Sequence, residues 1–149
     1  MSGRTEGWAI ALVVASSLAG QLAAQGSAPV GDRDRAVFRA SLTATVLMAG
    51  PAADSAGTAC RVVSVEWRAL AGSGAYQVQV SAGSPDLWIA VSPDPRCPGG
   101  GAAGPNAYHD RVPRPPHGAP AVRRAYRVVA TAKDGTGLEV TTPVSVEIR

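Results

Sequence analysis

The stretch Tyr126–Arg149, YRVVATAKDGTGLEVTTPVSVEIR, decides the fold. Tyr126, Val128, Ala130 and Ala132 alternate with Arg127 and Thr131, the period of two that puts every second side chain on one face of a strand. Lys133–Gly137 (KDGTG) is turn chemistry. Val144, Val146 and Ile148 then share one parity, so a second half-buried strand closes the chain. Two alternating strands joined by a Gly-rich turn are the local mark of an antiparallel all-β domain.

The pattern repeats upstream. Tyr76, Val78 and Val80 alternate with Gln77, Gln79 and Ser81, and Val63, Val65 and Trp67 alternate with Ser64, Glu66 and Arg68. Phe38, Ala40, Leu42, Ala44 and Val46 hold one parity in a further predicted strand, followed by the turn GPAADSAGT. Leu87–Val91 is a short strand carrying Trp88, and no amphipathic helix is expected anywhere. Short β-branched runs bounded by Gly, Pro, Asp and Ser predict an antiparallel β-sandwich of about seven strands. Trp67, Tyr76 and Tyr126 are its expected core aromatics.

Residues 92–121 break the rhythm, with eight Pro and five Gly in 30 positions. Each Pro removes a ladder donor, so this segment is expected to be a long loop rather than a central strand, with an edge strand at most over Ala107–Val112.

The first 24 residues read as a secretory signal: Arg4, an apolar run from Trp8 to Ala19, then small residues leading to Gln25 as the first mature residue. A retained membrane anchor is the alternative. Ser16, Ser17, Gly20 and Gln21 cut the run short of the about 20 apolar residues a span needs. Residues 25–34 are a flexible lead-in, and 35–149 form the single domain. Export makes the only two cysteines, Cys60 and Cys97, a disulfide pair. Its closed loop would contribute on the order of 4 kcal/mol through chain entropy. The chain is expected to be secreted, periplasmic or at the cell surface. Its Ala-, Gly-, Arg- and Val-rich composition suggests a GC-rich bacterial gene.

Several residue sets resemble the fibronectin type III family. There a Tyr-x-Val-x-small-x-Ala strand leads through an Asp/Asn-Gly-x-Gly turn to a Pro-Val-Ser-Val strand. Tyr126, Val128, Ala130, Ala132, Asp134, Gly135, Gly137 and Pro143–Val146 stand at those positions. VVSVEW, with Trp67, resembles the family's second strand, and AYQVQVS, with Tyr76, its third. The likeness covers residues 60–91 and 122–149. It departs at Pro120, where the family has Leu, in the Pro/Gly-rich middle, and in the cysteine pair. It implies an immunoglobulin-like sandwich and a non-catalytic contact or spacer role.

Chemistry-bearing patterns are sparse. The net charge of +3 is small and dispersed, which argues against nucleic acid as a partner. Ser73 sits in a turn and in no nucleophile elbow. His109 and Asp110 are adjacent on an extended segment and so point to opposite faces. Cys97, His109, Asp110 and His117 lack the tight spacing of a zinc site. No enzyme, metal or cofactor is expected. The candidate contact residues are Trp88, a peripheral aromatic, and the basic stretch of Arg111, Arg114, Arg123 and Arg124. The expected partner is a protein or glycan at the cell envelope, with membrane contact only through an uncleaved signal segment. A glycan-binding module and a subunit of an exported assembly are the rival roles.

Overall fold

The computed structural model describes residues 29–47 and 59–149. The expected signal segment and the turn GPAADSAGT lie outside the described residues. A short helix, α1 (Asp32–Arg39), is followed by β1 (Thr43–Leu47), β2 (Cys60–Glu66), β3 (Ala75–Ser81), β4 (Trp88–Ala90) and β5 (Gly101–Gly104). The chain continues through β6 (Ala107–Pro113), β7 (Val122–Thr131), β8 (Gly137–Val140) and β9 (Val144–Ile148).

Two antiparallel sheets pack face to face as an all-β sandwich. One runs β1-β2-β6-β5 and the other β4-β3-β7-β8, with β9 also paired to β7. The ten residues of β7 serve two partners on one side: Val122–Tyr126 pair with β9, and Val129–Thr131 with β8. Thr141 makes the jog between them. Its N–H donates to the Val128 carbonyl, while its hydroxyl accepts the Val128 N–H at 2.9 Å. A side chain thus completes the ladder where the backbone turns away.

The alternation read from the sequence predicts the core. Val63 and Val65 from β2, Val78 and Val80 from β3, and Tyr126, Val128 and Ala130 from β7 are buried together. Tyr126 is fully enclosed, while Trp67 and Tyr76 are half-buried against the same cluster. Their rings lie 5.5 Å apart, and Phe38 stacks on Tyr76 at 6.1 Å. The Tyr76 hydroxyl accepts the Leu70 N–H at 2.7 Å, pinning the β2–β3 connection over the core.

Two expectations are corrected. The stretch read as lead-in to residue 34 and strand from Phe38 holds α1 instead, and the strand begins only at Thr43. Asp32 and Asp34 in the first turn and Arg39 in the last complement the helix dipole. Phe38 is the helix's only buried side chain, so eight residues carry too little apolar signal to show a period. The second correction concerns 92–121. This segment contributes β5 and the whole of β6, and β6 lies inside its sheet between β2 and β5. From Ala107 to Val112 no Pro interrupts the run, so both ladder edges are intact; Pro105 and Pro113 only mark its ends. The stretch expected to be an edge strand at most is therefore a central one, paired on both sides.

Candidate functional site

The disulfide joins Cys60, at the start of β2, to Cys97, with a Cα–Cα distance of 5.8 Å. It holds the β4–β5 connection against the first sheet. Gly99 and Gly100 complete the clasp by lying on β6. Gly99 has φ +90, and a Cβ on Gly100 would stand 3.1 Å from the His109 carbonyl. Arg111 reaches over the same loop to donate to the Pro98 carbonyl.

A polar bridge links the sheets. Asp110 on β6 is 1% exposed and faces inward beside Val63. Tyr126 on β7 donates its hydroxyl to Asp110 Oδ2 at 2.7 Å. Arg124 Nε lies 3.0 Å from the same oxygen. That N–H is not aligned on it, so the contact is an ion pair rather than a hydrogen bond. Burial, and then the bond to Asp110, push the Tyr126 phenol well above its ordinary range. Burial, with the nearby Asp110 charge, also raises the Tyr108 phenol.

The two long edges of the sandwich differ. At one, β1 packs on β9. At the other, the second sheet ends in three-residue β4 and the first in β5, whose residues are all Gly or Ala. Side chains no larger than a methyl cannot cover the facing sheet. Ile89 pairs with Val80 and so turns toward the interior, yet it is 51% exposed, and Leu87 is 54% exposed. On the same edge a groove of about 640 Å³ opens between the sheets. Trp67, Tyr76 and Tyr108 are its aromatic residues, Val78 and Val91 add aliphatic surface, and no charged side chain lines it.

The candidate residues do not form one patch. Trp88 is half-buried on the outer face of the second sheet. Its indole N–H donates to the Pro85 carbonyl, and the Arg127 guanidinium covers one ring face at 4.6 Å. Arg127 is itself held by Gln79 at 2.8 Å. Arg124 points inward to Asp110, Arg123 stands opposite Glu147 across β7–β9, and Arg111 clasps Pro98. Arg114 is exposed at the β6–β7 loop. His109 stands opposite Ser64 on the face away from the core, and His117 is exposed in that loop. Among the described residues, no group of three His, Cys, Asp or Glu side chains is placed to hold a metal, and no helix is long and apolar enough to cross a membrane.

Tyr108 and β5 were missed in the sequence. The alternation Tyr108, Asp110, Val112 was the signal for Tyr108, whereas the Gly and Ala of β5 carry no apolar period to read. Comparison with protein-family models, curated proteins and solved structures finds no match to this chain.

Proposed function

We infer that this chain is an exported β-sandwich contact module of the fibronectin type III kind, acting by holding a partner rather than by catalysis. The observation that carries this reading is the open β4–β5 edge, an uncharged, aromatic-lined groove on an edge that also leaves Leu87 and Ile89 exposed. Exposed apolar surface of this kind costs solubility and marks interaction sites in soluble proteins. Export is supported by the Cys60–Cys97 bridge and by the apolar run Trp8–Ala19. The order of Trp67, Tyr76 and Tyr126 along a two-sheet sandwich supports the family likeness.

The groove supports the contact role better than Trp88 does, because one indole face and the indole N–H are already engaged. The test is co-sedimentation of the purified chain with the producing cell's envelope fraction, alongside Ala102→Arg. Ala102 is an exposed groove residue, so the substitution places a charge in the groove without touching the core. Sedimentation of the native chain and its loss in Ala102→Arg, at unchanged thermal stability, is the expected result. Equal sedimentation of both proteins would sink the groove as the contact site.

A further inference from the structure

The register of β3 adds a second property to this edge. The bonds Val91 N–H to Val78 carbonyl, at 3.0 Å, and Ala82 N–H to Leu87 carbonyl, at 2.9 Å, show that even-numbered β3 residues turn their backbone groups toward β4. Tyr76 follows the same alternation, since backbone polar groups on a strand point to each side in turn. The residue that would stand opposite Tyr76 in this register is Pro93, which has no N–H to give. The chain has already left the ladder there: the β3–β4 pairing runs only over Gln79–Ser81, and among the described residues no turn or loop hydrogen bond reaches Tyr76 from that side. The first three residues of β3, Ala75–Gln77, therefore form an edge whose continuation the sequence itself prevents. It lies along the uncharged groove, because Gly74, Ala75, Tyr76, Gln77 and Val78 line that groove.

We propose that the groove accepts an extended, uncharged peptide segment of a partner protein, added as a strand beside Tyr76 in the space where β4 stops. Three features specify this occupant. The free donor and acceptor of Tyr76 match the backbone of an extended chain, which offers the same pair at every second residue. The inward-facing side chains of that segment would prolong the row of Ile89 and Val91 across Trp67, Tyr76 and Tyr108. Finally, the lining holds no charge to compensate a buried one, so the inward positions of the segment are apolar or small. The opposite wall, made by Ala102 and Gly104, leaves the room those side chains need. This proposal rests on the contact reading above and gives its partner a backbone conformation.

The test uses linear peptides of about six to eight residues, the length of an ordinary strand, selected from a displayed random library on the purified chain. Backbone amide exchange is read with and without the selected peptide. Each peptide is also made with N-methyl groups on one alternate set of amides and then on the other. Strand addition predicts that the Tyr76 amide becomes protected. It also predicts that one methylation set weakens binding about tenfold or more while the other leaves it nearly unchanged, because only one set faces β3. Equal tolerance of both sets, or protection that bypasses Tyr76, would overturn strand addition. So would a concentration-dependent dimer that protects Tyr76 without peptide, by assigning the groove to a second copy. If the chain sediments with envelope through Ala102 yet selects no linear peptide, the contact role stands and this inference fails. If peptides bind beside Tyr76 but no envelope material does, the envelope reading fails instead.

Discussion

The bond between the two sheets at Tyr126 and Asp110 can be tested by removing one oxygen. Tyr126→Phe keeps the ring that fills the core and deletes only the hydroxyl, which lies 2.7 Å from Asp110 Oδ2. Both residues are almost wholly enclosed, at 0% and 1% exposure. Water therefore cannot replace the lost donor, and among the described residues the carboxylate keeps its unaligned contact with Arg124. A hydrogen bond to a charged group contributes about 1.5–3 kcal/mol, and an unsatisfied buried acceptor costs a similar amount. Tyr126→Phe should lose about 2 kcal/mol, or roughly 4–12 °C in Tm for a domain of this size. Asp110→Asn tests the other side, since it retains an acceptor but leaves Arg124 facing a neutral partner. The assay is urea unfolding at neutral pH with the disulfide intact, on both single variants and the double variant. A coupling energy of about 1–2 kcal/mol is expected from groups in direct contact. A Tyr126→Phe loss under about 0.5 kcal/mol, the range of ordinary surface changes, would refute the argument.

Four further outcomes follow from the same geometry. The native Tyr126 phenol stays protonated above the value of about 10 at which an unfolded tyrosine ionises, so its contribution is whole below about pH 10 and falls as pH rises further; alkaline unfolding of Tyr126→Phe, followed by circular dichroism, should begin at higher pH relative to its own neutral-pH stability. Replacing Cys60 and Cys97 by Ala should cost on the order of 4 kcal/mol and speed amide exchange in Gly99–Gly104, whereas a loss below about 1 kcal/mol would mean that the clasp holds without the bridge. A Cβ on Gly74 would sit 2.8 Å from the Lys133 backbone, so Gly74→Ala should destabilise by about 1–3 kcal/mol in thermal unfolding. Glu139 accepts from Arg39 at 2.8 Å, a bond that holds its carboxyl below the usual range and ties α1 to β8; because Arg39 is half-exposed, Glu139→Gln should cost under about 1 kcal/mol and chiefly loosen α1 in amide exchange.

What the sequence disclosed follows from how long each signal runs. In β3, β7 and β9, and in β2 continued to Trp67, three apolar residues repeat at period two, and each turns the parity the alternation predicts toward the core. In α1 one buried Phe38 had to speak for eight residues, and no period can be read from a single point. In β6 the alternation was present, but Pro105 and Pro113 bracket it so closely that the segment read as an edge strand at most. Its placement between β2 and β5 depends on partners far away in the chain. The groove was illegible for a different reason. It exists because β5 is Gly and Ala and because β4 ends ahead of Pro93, two local facts that face each other only after the sheets pack. Trp88 and the arginines were visible as residues, whereas the sandwich decides that Arg127 covers the indole and Arg124 turns inward.

The central claim, that this module makes contact through its β4–β5 edge, is met most directly by photocrosslinking in the producing cells. A benzophenone side chain is placed at Ala102, in the groove, or at Thr45, exposed on β1 at the opposite edge. The account predicts a discrete adduct from position 102 and none from position 45. Adducts from both positions alike, or only from 45, would contradict it.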